Sequence, residues 1–143
     1  MGDAARALSK GPTIEMDGRS YTLTPFNLDM IAMFEAWLED QAYARVERCR
    51  GQIPDDEYQR RLRTVTELVG SMAFSFGSEA YSKAMESLPG KKQMLWLMLT
   101  ANDRTITRAQ IDSLFADNLE LALGKLQAAI HAPKAAGEAS PSP

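Results

Sequence analysis

The sequence predicts a mainly helical domain of about five to six helices with a two-stranded β-hairpin at its N-terminal end. Three observations predict it. Thr13–Leu23 (TIEMDGRSYTL) alternates apolar and polar residues on either side of Asp17-Gly18. Beyond Pro25 the apolar residues recur at helical spacing in successive segments. Those segments are punctuated by residues that start or stop helices, among them Asn27, Gly51, Pro54, Ser78 and Thr107.

The hairpin comes first. Ile14 and Met16 alternate with polar neighbours, as do Tyr21 and Leu23. Asp-Gly between such runs signals a type I′ turn, because that turn needs positive φ at both central residues. Two strands alone are marginal in water, so this pair must pack on helices or extend another molecule's sheet.

Asn27 is the expected N-cap of a helix running to about Arg50, with Gly51 as its C′ stop. Met30, Ile31, Met33, Phe34, Trp37 and Leu38 fall on one broad face of its first half. The second half turns polar, with Arg45, Glu47, Arg48 and Arg50. Pro54 and the acidic Asp55, Asp56 and Glu57 suit the first turn of the next helix, where the backbone dipole favours negative charge. Tyr58, Leu62, Val65, Val69, Met72 and Phe76 continue it as a heptad-type seam, which predicts a helix from about Asp55 to Phe74 or Phe76. The short connection predicts antiparallel pairing with the helix before it.

Gly77 breaks this helix and Ser78 caps a shorter one carrying Ala80, Tyr81, Ala84, Met85 and Leu88, which Pro89-Gly90 is expected to end. Lys91–Ala101 is apolar nearly all round and should be central. Thr107-Arg108-Ala109-Gln110 spells a capping box, opening a helix with Ile111, Leu114 and Phe115. Asp117-Asn118 breaks or kinks it. A last helix places Leu119, Ala122, Leu123, Leu126 and Ile130 on one face.

The 143 residues fit one domain, expected over 13–131 with the hairpin at 13–24. Residues 1–12 and 132–143 are small, polar or Pro-rich and are expected to be flexible ends. Apolar residues make up 45%, enough for a core, and the net charge is −3. An acidic balance argues against a nonspecific nucleic-acid binder, which usually carries a basic stripe. The one cysteine, Cys49, permits no intrachain disulfide and fits a reducing cytoplasm. The first residues lack the apolar core of a secretory signal, and no run is long enough for a membrane span.

Chemistry-bearing patterns are sparse. Nucleophilic catalysis needs a base beside a Ser or Cys. The sole histidine, His131, stands at the edge of the C-terminal tail, and Cys49 on a charged helix end. Glu35, Glu39 and Asp40 read as the solvated face opposite Phe34 and Leu38. Neither metal-ligand spacings nor phosphate-binding glycine loops occur. No catalytic, cofactor or metal site is therefore expected. Arg45, Arg48, Arg50, Arg60, Arg61 and Arg63 are interleaved with Glu47, Asp55, Asp56 and Glu57, which favours a salt-bridged surface over a phosphate-binding patch. Thr107–Gln127 also reads as a helix-turn-helix, but its second helix offers mainly Leu and Ala where base edges call for Arg, Asn or Gln.

Eight methionines are present. Methionine is flexible and polarizable, and is over-used on surfaces that accept varied apolar partners. Together with Trp37, Trp96, Phe34, Phe74 and Phe76, this is a generous apolar inventory for a small domain. Met30, Met33, Phe34, Trp37, Met72 and Phe76 are the candidate partner-facing residues, chosen from amphipathicity.

One resemblance joins these features. The N-terminal hairpin around Asp17-Gly18, two longer helices, the QMLWLML block (Gln93–Leu99), the NDRTITRAQIDSLF helix start and the DNLELAL segment occur in that order over Thr13–Ile130. That order resembles the tail assembly chaperones of long-tailed bacteriophages, siphophages and their prophages above all. The chain departs from the pattern in the length and charge of Arg45–Arg63. The resemblance implies a non-enzymatic protein that binds the tape measure protein in the host cytoplasm. There it would keep that partner soluble while tail tube protein polymerises around it, then leave before the virion is finished. It also implies self-association and possible contact with tail tube protein, with no nucleic acid or membrane partner. Two other functions are compatible with the residues: a structural or adaptor component of the tail, and a small helix-turn-helix regulator that binds DNA.

Overall fold

A computed structural model describes residues 11–132. Among them are strands β1 (Thr13–Met16) and β2 (Arg19–Thr22) and six helices. The helices are α1 (Leu28–Arg48), α2 (Asp55–Gly70), α3 (Glu79–Glu86), α4 (Leu88–Thr100), α5 (Arg108–Asp117) and α6 (Leu119–Ile130). The expected fold class, mainly helical with an N-terminal hairpin, is the one observed. The expected flexible ends lie outside the described residues, apart from Gly11, Pro12 and Ala132. The described residues divide into two compact units, one formed by residues 11–30 and 88–132, the other by Ile31–Ser87.

In the first unit β1 and β2 pair antiparallel with Ile14 opposite Tyr21 and Met16 opposite Arg19. Asp17 and Gly18 have φ of 53° and 76°, the two positive values that a type I′ turn demands. The hairpin packs on the unit's own helices. Asn102 Nδ2 donates to the Thr22 carbonyl at 2.9 Å and Gln110 Nε2 to Asp17 Oδ2 at 3.1 Å. Beyond β2, Thr24 N donates to the Met98 carbonyl at 2.9 Å and Phe26 N to the Ala129 carbonyl at 3.3 Å. Gly11 lies so close to β2's exit that a Cβ there would sit 2.0 Å from the Leu23 carbonyl oxygen.

Helix α4 is the centre of this unit, packing against both α5 and α6. Met94, Leu95, Met98 and Leu99 are fully buried, as a helix apolar on all sides requires. The capping box opens α5: Thr107 Oγ1 accepts from Gln110 N at 3.2 Å and Gln110 Oε1 from Thr107 N at 2.8 Å. Asn118 alone links α5 to α6, and α6 buries Ala122, Leu126 and Ala129. Leu119, expected on that face, sits beside the Asn118 kink and stays exposed. Pro89-Gly90, expected to end α3, instead lies in the first turn of α4. Proline is suited to that place because its missing N–H would have had no helical partner.

In the second unit α1 and α2 form an antiparallel hairpin over a core of Val46, Tyr58 and Val65, flanked by Ala42, Tyr43, Ile53, Leu62 and Val69. Tyr58 Oη donates to Glu47 Oε2 at 2.7 Å and Tyr43 Oη to Thr66 Oγ1 at 3.3 Å, so steps back along α1 match steps forward along α2. Asn27 Oδ1, in the first unit, caps the start of α1 by accepting from Met30 N at 3.1 Å. The Ser78 hydroxyl does the same for α3 on Tyr81 N at 3.1 Å.

The seam predicted to Phe74 or Phe76 is cut short at Gly70. Ala73 N donates to the Leu68 carbonyl at 3.0 Å and Met72 N to the Val69 carbonyl at 3.1 Å, with Met72 at φ 63°. This is the hydrogen-bond pair of a Schellman helix end, with Met72 in the left-handed position usually held by glycine.

Candidate partner-binding surface

The site is built at the open end of the α1–α2 hairpin, where the link Ser71–Gly77 leaves α2. Glu35, on α1, accepts from Phe76 N at 2.6 Å and pins the link. The Phe76 ring stands edge-on to Tyr81, with centroids 5.3 Å apart. Tyr81 lies 4.9 Å from Phe34, and Phe34 lies 5.3 Å from Trp37. Four aromatic rings from α1, the link and α3 are thus stacked in series, an arrangement that adds to burial about 0.5–1.5 kcal/mol per pair.

The six candidate residues meet different fates. Phe34, Trp37 and Phe76 are brought together through Tyr81. Met72 belongs to the same link and is 70% exposed, and Phe76 is 58% exposed. Phe34 is fully buried and Trp37 half-buried, so they form the base of the site and little of its surface. Met30 is buried and belongs to the other unit. Met33 is exposed, but it lies about 200° around α1 from Glu35 at about 100° per residue, so it faces away from the link.

Two residues were missed. Tyr81, at the hub of the ring series, looks in the sequence like any apolar residue of a short helix. Leu68 is 40% exposed one turn before Met72, and the sequence did signal it: it is apolar but one residue off the α2 seam.

Tyr81 is buried, and among the described residues its hydroxyl has no hydrogen-bond partner. Burial, and to a lesser degree the charge of Glu35, pushes its pKa up to about 12. The neutral phenol is therefore strongly preferred in the fold.

Charge is divided along the hairpin. Residues 31–44 and 64–82 contain Glu35, Glu39, Asp40, Glu67 and Glu79 and no Lys or Arg. The arginines lie between them, toward the tip. There the expected salt-bridged surface is present: Arg50 pairs with Glu47 at 3.0 Å, Arg61 with Glu57 at 3.1 Å, and Arg60 also with Glu57. The Tyr58 hydroxyl, and then Arg50, hold the Glu47 carboxyl below its ordinary value. Cys49 Sγ lies 3.6 Å from both the Arg45 carbonyl and Arg61 Nη1.

In the other unit Arg108 stacks 3.9 Å above Trp96 and donates to the buried Gln93 side chain, so the tryptophan of the QMLWLML block is a packing element. Of the exposed leucines there, Leu28, Leu88 and Leu119 are each the first residue of a helix and Leu121 is in the first turn of α6. Among the described residues no His, Cys, Asp and Glu cluster is suited to a metal, and no helix is long and apolar enough to cross a membrane.

Searches of protein-family models, curated proteins and solved structures return no match to this chain.

Proposed function

We propose that this chain is a non-enzymatic tail assembly chaperone of a long-tailed bacteriophage or prophage. Its partner is the tape measure protein, which it keeps soluble in the host cytoplasm during tail tube assembly. The reading is supported by the ordered sequence features over Thr13–Ile130, the hairpin-then-helices fold and the exposed link. One observation carries most weight: Met72 is apolar, 70% exposed and held in a left-handed conformation. Such a conformation costs a non-glycine residue roughly 1–2 kcal/mol. The helix end needs a left-handed residue there but gains nothing from an exposed methionine in place of glycine, and residues that break local rules without a structural return concentrate at functional sites. A surface that takes varied apolar segments does gain from a flexible thioether.

The helix-turn-helix alternative is disfavoured by geometry. Asn118 alone joins α5 and α6, whereas the motif uses a turn of about three to four residues.

The test is co-expression with the tape measure protein of the phage or prophage that encodes this chain, followed by pull-down and size exclusion. The proposal expects the partner to stay soluble and to co-elute with this chain. A partner that is insoluble with or without the chain, while the chain elutes alone, overturns it.

A further inference from the structure

We propose that the link Ser71–Gly77 and the end of α2 dock a cationic amphipathic helix of the partner chain. The exposed apolar residues at this end are Leu68, Met72 and Phe76, and the Phe76 ring is backed by Tyr81, which in turn meets Phe34. Its charge selects the occupant. Glu35 and Glu39 lie one turn apart on the side of α1 that holds the link, and Glu67 and Glu79 flank the link in sequence. No Lys or Arg occurs in either stretch that builds this end, and Lys83, the next cation, pairs with Glu79 at 2.9 Å, so the net negative charge here is carried by Glu35, Glu39 and Glu67. Apolar anchors rimmed by carboxylates match a segment that presents Leu, Met or Phe between Lys or Arg residues.

The backbone selects the occupant's conformation. This end is made of helix sides and a closed turn, and among the described residues its unit has no strand whose edge could pair with an extended peptide. A bound segment must satisfy its own N–H and C=O groups, which a helix does. The inference rests on the chaperone reading for the identity of the partner and adds the kind of segment recognised.

The experiment uses the full chain and two labelled synthetic peptides, each about 18 residues or five turns. One is an amphipathic Leu/Lys helix and the other a Leu/Glu helix of the same pattern, with binding read by fluorescence anisotropy. The Leu/Lys peptide should bind at least about tenfold more tightly than the Leu/Glu peptide, and added salt should weaken it. Met72→Lys and Glu39→Lys should each cut that binding about tenfold or more, while Glu120→Lys, in the other unit, should leave it unchanged. Met72 is exposed enough that the fold survives the change, which a thermal melt of each variant verifies. Equal binding of both peptides, no binding of either, or equal loss from Glu120→Lys overturns the proposal. So does a Met72→Lys variant whose only effect is a smaller mass by light scattering, because the face would then belong to a second copy. If co-expression succeeds and the peptide test fails, this inference falls alone. If the peptide test succeeds and co-expression fails, the docking surface stands and the partner's identity falls.

Discussion

Two stretches of this chain are equally rich in Met and aromatic residues and end up in opposite places. Met94–Leu99, in α4, buries Met94, Leu95, Met98 and Leu99 completely. Ser71–Gly77 leaves Met72 and Phe76 mostly exposed. Composition does not separate them; the backbone does. In α4 the helix is intact, so every face carries a side chain toward a neighbouring element. In the link, α2 has already ended at Gly70, so the seam that would have placed Met72 and Phe76 on α1 is interrupted before reaching them. The stretch with the recognisable QMLWLML pattern builds the core, and the irregular stretch offers the surface.

The sharpest way to break this contrast is to truncate one residue of each. Leu95→Ala should destabilise the protein by about 2–5 kcal/mol, the range for large-to-small changes at buried sites. Met72→Ala should fall within about 0.5 kcal/mol of the parent, as surface changes do. Chemical denaturation of the two variants measures both. Comparable losses would mean that the link is part of the core.

Gly11→Ala comes next, at about 1–3 kcal/mol, because the added methyl would overlap the Leu23 carbonyl and force the backbone apart. A hairpin that tolerates this change without loss of melting temperature is not held where described.

Tyr81 is the buried residue beneath the exposed link. Its folded pKa of about 12 exceeds the ordinary 10, so the unfolded chain loses the proton first as pH rises. The Tyr81 contribution is therefore complete below about pH 10 and is lost between about pH 10 and 12, amounting to about 3 kcal/mol at most. Tyr58, raised chiefly by its hydrogen bond to Glu47, acts in the same direction. Tyr81→Phe should flatten the alkaline slope and raise stability near neutrality by up to about 1 kcal/mol, because a buried hydroxyl without a partner is removed. Urea melts from pH 8 to 12 read both effects.

The smallest effect is the most diagnostic. Met72→Gly should stabilise the isolated chain by about 1 kcal/mol, by placing the usual residue at the left-handed end of α2. The same change should weaken capture of the partner. Stability and binding moving in opposite directions would mark Met72 as a residue kept for contact.

Much of the fold was legible because the decisive signals are local. Asp17-Gly18 specifies its turn by φ alone, and Thr107 with Gln110 specifies a helix start within four residues. The end of α2 was not legible, because its left-handed position carries Met where glycine would have announced it. Pro89 was misplaced because proline serves equally after one helix and in the first turn of the next, and only the path of the chain decides. At the candidate site, Phe34, Trp37, Met72 and Phe76 were found by amphipathicity. Tyr81 was not, because its role depends on a ring contact between α3 and the link that no spacing encodes. Met33 and Met30 were chosen by the same rule, which finds apolar faces without telling which of them turns toward which neighbour.

On the proposed reading, the open end of the α1–α2 hairpin, and not its arginine tip, receives the partner. Hydrogen–deuterium exchange on the full chain, alone and in complex with the co-expressed tail protein, tests it most directly. Docking at the open end should add protection in residues 64–82 and around Glu35 and Glu39, with exchange in 45–63 unchanged. Protection centred on 45–63, or confined to α5 and α6, would contradict it.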